Sequence, residues 1–285
     1  MSLRQADTIA EVRAAVSEAR RAGKSIGFVP TMGALHRGHA ALVEAARAEC
    51  DLVVVSIFVN PTQFGPNEDF ARYPRTLDAD RAVCENAGCD VLFVPAVAEM
   101  YPAGFATFVE VPALATGLCG RSRPTHFRGV CTVVAKLFNI VAPDVAYFGE
   151  KDAQQVRILA RMTRDLDLPI RVSPQPTVRE PDGLALSSRN RYLDADQRAQ
   201  ATVLHRALQA AAADVAVGER RADAVRERLV RTIATAPLAR LDYAEVVDGE
   251  TLQPVETLAG PVLLALAVKF GETRLIDNHS LFVAG

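Results

Sequence analysis

The chain has 285 residues, 49% of them hydrophobic, enough for a sizeable core shared between one large domain and a smaller one. Its 32 Lys and Arg against 34 Asp and Glu give a formal net charge of -2, which argues against nucleic acid or any other polyanion as the main partner. No run is long enough to span a bilayer and no signal-peptide pattern opens the chain. Cys50, Cys84, Cys89, Cys119 and Cys131 form no C-x-x-C pair, so a disulfide framework and a zinc ribbon give way to a reducing cytoplasm.

Along the chain, strand and helix patterns alternate. "SIGFV" (25–29) predicts a buried strand, "HAALVEAARAEC" (39–50) a helix, and "LVVVSIFVN" (52–60) a β-branched, nearly all-apolar strand. "TLDADRAVCENAG" (76–88) and "FRGVCTVVAKLFNIV" (127–141) predict helices, as does "DAQQVRILARMTRDL" (152–166). "DVLFV" (90–94) and "DVAYFG" (144–149) predict strands. Continuous apolar strands between amphipathic helices predict a Rossmann-like α/β fold, a parallel sheet with helices on both faces, over residues 1–175. After Pro174 and Pro176, helices around 195–217 and 219–235 precede strand candidates "LDYAEVVD", "VLLALAVKF" and "TRLIDNHSL". That order predicts a smaller α+β domain over 176–285.

The chemistry concentrates in "PTMGALHRGH" (30–39), where a strand hands over to a helix. A metal pair at His36 and His39 lacks a third ligand at suitable spacing. "RAGKS" (21–25) is no P-loop: position 18 is Glu18 instead of glycine, and the tripeptide precedes a strand instead of following one. A phosphate site has a mechanism. Gly33 and Gly38 let the backbone approach an anion, the helix N-terminus favours negative charge, and the two imidazoles can donate hydrogen bonds. The stretch by itself leaves an ordinary loop equally open.

"HRGH" resembles the H-x-G-H signature of nucleotidylyltransferases and the related signature of class I aminoacyl-tRNA synthetases. "FVNPTQF" (58–64), "YPRT" (73–76), "RPTHFRGV" (123–130), "YFGEKDAQQ" (147–155) and "DGLALSSRNRYL" (182–193) narrow the resemblance to the pantothenate synthetase (pantoate–β-alanine ligase) family. It covers essentially the whole chain. Ala153 departs from it, since many members carry an aromatic there.

The resemblance implies a ligase that joins pantoate and β-alanine using ATP. The route runs through pantoyl adenylate and releases pyrophosphate and AMP. It also implies Mg²⁺ travelling with ATP and a homodimer. ATP is expected to meet Met32, Gly33, Ala34, Leu35, His36, Arg37, Gly38 and His39, then Gly149, Glu150, Lys151, Asp152 and Val178, and finally Leu186, Ser187, Ser188 and Arg189. His36, His39, Lys151, Ser187, Ser188 and Arg189 are the expected catalytic donors, with "LSSR" a mobile loop closing over ATP. Asn60, Gln63 and Gln155 are expected on the acid substrate, and Gln63 again near β-alanine. Arg123 and His126 are expected near the site, while His205 and His279 read as structural. Asp78 and Asp80 are candidate Mg²⁺ contacts, although that ion usually rides on ATP phosphates with several waters. Two rival readings remain at this point: a nucleotidyltransferase that stops after AMP transfer, and a non-enzymatic adenine-nucleotide sensor.

Overall fold

The computed structural model describes residues 3–66 and 68–284. In chain order its elements are β1 (Arg4–Ala6), α1 (Ile9–Arg21), β2 (Ile26–Thr31), α2 (Arg37–Glu49), β3 (Leu52–Ile57), α3 (Leu77–Ala87), β4 (Val91–Phe93), α4 (Val97–Met100), α5 (Pro112–Ala115), α6 (Cys119–Ser122), α7 (His126–Val141), β5 (Val145–Gly149), α8 (Ala153–Asp165), β6 (Arg171–Gln175), α9 (Ala195–Ala201), α10 (Val203–Ala216), α11 (Ala222–Ile233), β7 (Ala239–Asp248), β8 (Gly260–Phe270) and β9 (Thr273–Val283).

Two compact units share them. One comprises Met1–Pro112, Arg123–Glu150 and Gln155–Pro176; the other comprises Ala113–Ser122, Lys151–Gln154 and Thr177–Gly285. Two short segments upstream of residue 176 thus belong with the second unit, and buried polar ties explain why. Gln154 accepts from the Cys119 N–H at 3.0 Å and donates to the carbonyls of Leu114 and Gly117, both at 2.9 Å. The Asn278 amide donates to the Lys151 carbonyl at 2.9 Å.

The first unit is a six-stranded, all-parallel sheet in the order β1-β4-β3-β2-β5-β6. Its strands alternate sides. Val53, Val55 and Ile57 of β3 pack with Leu42, Val43 and Ala46 of α2 and Cys84 and Ala87 of α3. On β5, Tyr147 joins that cluster while the next residue, Phe148, meets Phe138 of α7 with ring centroids 6.4 Å apart. Helices therefore cover both faces, as a parallel sheet requires. Both edge strands escape a sequence reading. β1 has three residues, two of them exposed, and β6 carries Pro174, which an edge strand tolerates because its N–H need not join a ladder. β2 runs on through Pro30 to Thr31 beside β3, but pairs with β5 only at Gly27 and Phe28. Chain order reverses at this point, so the carboxyl ends of β2 and β5 flank the crevice where ligands bind in open α/β sheets.

The second unit is an antiparallel sheet, β7-β8-β9, packed on α10 and α11. Val262, Leu264, Leu266, Val268 and Phe270 of β8 share one core with Leu204 and Leu208 of α10 and Val225 and Leu229 of α11. The helix expected over 195–217 divides at Thr202, whose hydroxyl donates back to the Ala199 carbonyl at 3.1 Å and competes with the helical ladder.

His205 and His279 lie in this unit with the buried Arg179–Asp277 pair, whose two hydrogen bonds measure 2.7 and 2.9 Å. Desolvation, then the Arg179 charge, lowers the pKa of both imidazoles; the Asp277 carboxylate opposes the shift. A histidine that ionises less readily folded than unfolded keeps its full contribution above about pH 6.5 and loses stability as pH falls below it. Urea midpoints should accordingly drop between pH 7.5 and 5.5, and substituting His205→Gln together with His279→Gln should shrink that drop. A pH response unchanged by the double substitution would contradict this account.

Candidate active site

The junction between β2 and α2 is held by acceptors for successive main-chain N–H groups. The Thr31 hydroxyl donates to the Ser56 carbonyl at 2.8 Å and accepts from the Gly33 N–H at 3.1 Å. Gly33 and Ala34 both take positive φ, 80° and 51°. Only a glycine fits at 33, since a Cβ there would lie 3.0 Å from both the Asp80 carboxylate and Ile57. Asp80, 2% exposed, accepts from the N–H groups of Ala34 (3.0 Å) and Leu35 (2.7 Å) and from the Thr76 hydroxyl (3.1 Å). The carboxylate considered for Mg²⁺ is thus engaged in shaping the loop. Among the described residues, no three His, Cys, Asp or Glu side chains cluster as a metal site.

The amides of His36 and Gly38 are capped by imidazoles. His36 Nδ1 accepts from the Gly38 N–H at 3.1 Å, and His39 Nδ1 accepts from the His36 N–H at 3.3 Å. The rings lie 4.1 Å apart, tilted by 38°. With Nδ1 accepting, each neutral ring carries its proton on Nε2 and is a donor there. Most N-caps are Ser, Thr, Asp or Asn. The imidazole caps, with no acid in the first turn, add no negative charge of their own to the positive end of α2, while the Asp80 carboxylate serves the preceding amides of Ala34 and Leu35. The G-K-S tripeptide lies at the other end of β2, in the turn after α1.

At the end of β3, Asn60 caps a single 3₁₀ turn over Pro61–Gln63. Asn60 is 1% exposed and Gln63 8%. The Gln63 side chain meets Asn60 at 3.0 Å and the Met32 sulfur at 3.0 Å. The main-chain carbonyl of Gln63 is gripped by His126 Nδ1 (2.9 Å) and the Arg123 guanidinium (3.3 Å). Arg123 is itself held by Glu68 through contacts of 2.7 and 2.5 Å, which keep the Glu68 pKa low despite burial. Gly129 of α7 lies beneath this turn; a Cβ there would come within 2.4 Å of the Thr62 carbonyl oxygen.

In the second unit, Val178 and Leu186 pair across a hairpin, with the Leu186 N–H donating to the Val178 carbonyl at 3.0 Å. Ser187 caps the 3₁₀ turn Ser188–Tyr192 by accepting from the Arg189 N–H at 3.3 Å. The base of the hairpin is anchored by the Arg179–Asp277 pair. Lys151 and Ser187 line one small cavity with Asn190 and Asp277. Lys151 lies 3.8 Å from Asp152, the last residue of a 3₁₀ turn. That turn delays the start of α8 to Ala153, one residue later than the sequence pattern suggests.

A family model for pantoate-beta-alanine ligase matches residues 4–280. The chain belongs to the pantoate–β-alanine ligase family. It is 59% identical over 276 residues to the pantothenate synthetase of Moorella thermoacetica, spanning 97% of this chain and 98% of that one. It is 54% identical over 279 residues to that of Thermotoga neapolitana, spanning 98% and 100%. The crystal structure of the pantothenate synthetase from Thermus thermophilus superposes with a TM-score of 0.93 at 49% identity, over 99% of this chain and 100% of that one. The enzyme from Francisella tularensis, complexed with β,γ-ATP and β-alanine, has a TM-score of 0.78 at 35% identity, over 98% and 97%.

Within the first unit of this ligase-family chain, Met32, Asn60 and Gln63 come together directly, and His36 and His39 stack at the start of α2. Gly149 ends β5, Glu150 follows it, and Gln155 is half-buried in the first turn of α8. Motif reading places Arg123 and His126 near the site without showing what they grip. It passes over Tyr101, Glu68 and Gln154, which act through long-range polar contacts that no local spacing reveals.

The Asp80 arrangement has a measurable consequence. Replacing it by alanine orphans two main-chain N–H groups of the 33–35 loop, a loss of about 2–4 kcal/mol. Asp80→Ala should lower the denaturation midpoint and weaken ATP binding measured by calorimetry. Unchanged ATP affinity would separate this loop from the nucleotide site.

Proposed function

We propose that this chain joins pantoate to β-alanine through pantoyl adenylate, with His36, His39 and Gln63 as the chemical centre. The observation that carries the reading is the double imidazole cap on α2 at the sheet's reversal point. It combines helix amides, a positive helix end and two Nε2–H donors without adding a carboxylate that would repel phosphates. Family membership and the ATP and β-alanine complex of the Francisella relative support it.

Pantoate's carboxylate is already ionised and attacks the α-phosphorus of ATP. A bond forms from its oxygen to phosphorus as the bond to pyrophosphate breaks. Such a step needs alignment and stabilisation of the leaving charge more than proton removal. His39 is the donor to that charge, with His36 beside it; Lys151, Ser187, Ser188 and Arg189 add donors for pyrophosphate oxygens. Asp152 is assigned to the ribose hydroxyls, Val178 to adenine, and Gln63 and Gln155 to pantoate. Mg²⁺ enters as part of the ATP substrate and neutralises phosphate charge. In the second step β-alanine's neutral amine attacks the acyl carbon, the bond to AMP breaks, and the amine's extra proton leaves to solvent. An ordinary amine with a pKa near about 10 is mostly protonated at pH 7, so this step should quicken as pH rises. The resemblance supports a homodimer. The five cysteines, all free and buried, suit a reducing cytoplasm.

ATP–pyrophosphate exchange that requires pantoate, followed by AMP release that requires β-alanine, separates this reading from an adenylyl transferase that stops and from a nucleotide sensor. Rapid quench with ATP and pantoate alone should trap an acyl adenylate. Absence of adenylate and pyrophosphate until β-alanine is added would favour a concerted three-substrate reaction. His39→Ala should slow adenylation by roughly 10²- to 10³-fold, the scale for losing one charge-stabilising donor. Near-normal single-turnover adenylation would remove His39 from this role.

A further inference from the structure

Which end of the Gln63 amide faces the acid substrate follows from groups that Gln63 itself does not choose. Asn60 is the starting point. One atom of its side-chain amide lies 3.3 Å from the Thr62 main-chain N–H, which can only donate, so that atom is the oxygen. The other lies 3.1 Å from the Gly129 carbonyl, which can only accept, so it is the nitrogen. Asn60 is therefore oriented by two main-chain groups. Its oxygen also accepts from the hydroxyls of Thr62 at 2.9 Å and Tyr101 at 2.8 Å. Its nitrogen points at Gln63 from 3.0 Å, so the Gln63 atom it meets is the carbonyl oxygen. The NH₂ of Gln63 is left on the opposite side, next to the Met32 sulfur, a weak acceptor with no proton to give. The backbone of Gln63 cannot swing away, because Arg123 and His126 both hold its carbonyl.

We propose that Tyr101 is a positioning residue which, through Asn60, reinforces the orientation set by the Thr62 N–H and the Gly129 carbonyl and so holds the Gln63 amide with its NH₂ toward the acid substrate. This rests on the assignment of Gln63 to pantoate. Gln63 then reads an acceptor, a carboxylate oxygen or a hydroxyl lone pair, and is not available to accept a hydroxyl proton. Tyr101 suits the post. Its ring is wedged between Phe58 and Phe105, with centroids 6.0 and 5.0 Å away, and burial raises its pKa, keeping the hydroxyl a donor. Asn60 has its polar atoms fully engaged by these contacts, so it acts through Gln63 and not on substrate.

Two substitutions and one direct observation test this. Tyr101→Phe keeps the ring packing and removes one of three donors to Asn60. It should raise the KM for pantoate roughly threefold to tenfold and leave the KM for ATP within about twofold. Asn60→Asp replaces the NH₂ that faces Gln63 by a second oxygen and forces the Gln63 amide to turn over. The KM for pantoate should then rise roughly tenfold to a hundredfold, again with ATP little affected. Equal increases for ATP and pantoate in either variant would point to general loosening and overturn the proposal. Neutron diffraction of the deuterated wild-type protein reads the amide without turnover. Two deuterons on the Gln63 atom facing Met32 support the assignment; deuterons on the atom facing Asn60 overturn it. A wild-type protein that shows no pantoate-dependent exchange would defeat the functional reading alone, since the neutron map answers the orientation question separately.

Discussion

Main-chain N–H groups between β2 and α2 must find acceptors, and the choice of acceptor governs the chemistry of the first unit. Three kinds are used in succession: a hydroxyl from Thr31, a buried carboxylate from Asp80, and the Nδ1 atoms of His36 and His39. The carboxylate takes the amides of the tight loop. The first turn of the helix is capped by imidazole nitrogens instead of a second carboxylate, so the caps themselves add no negative charge at the start of α2. Each accepting Nδ1 also settles its ring's tautomer, so that capping the helix and presenting an Nε2–H donor are one and the same act.

The same economy operates at the end of β3. Asn60 lies at the centre of a polar network whose outer members are main-chain groups, and those groups admit only one arrangement of the amides within it. Buried polar networks of this sort specify geometry strongly when every member is satisfied. The contacts of Arg123, His126 and Glu68 extend it, fixing the backbone while Asn60 fixes the side chain.

Much of the architecture is legible in the chain because β3 and β5 are apolar runs and α2, α3 and α7 carry their periodicity openly. The antiparallel sheet of the second unit is legible for the same reason in β8. What escapes is short or depends on partners far away in sequence. β1 and β6 have too few buried residues to announce themselves, and the pattern over 195–217 conceals the break at Thr202. At the candidate site the histidines and Gln63 stand out through their motif. Asp80 looks like a metal contact until the loop amides around it are seen, and Tyr101 reads only as an aromatic, 41 residues from the asparagine it touches. Spacing along a chain shows which side chains share a helix face, but not which carbonyl a distant guanidinium will reach.

Gly129 bears on how this protein can diverge. Helix α7 is pressed so closely on the turn at residues 61–63 that its backbone serves as the floor of that turn, and one of its carbonyls is part of the Asn60 network. A side chain at 129 cannot be accommodated by repacking neighbours, because what it would strike is main chain. Drift at this position is therefore closed off, while the exposed Arg128 and Asn139 of the same helix remain open to change. A mutational scan of α7 would register the imprint of the turn at residues 61–63 on the helix that underlies it.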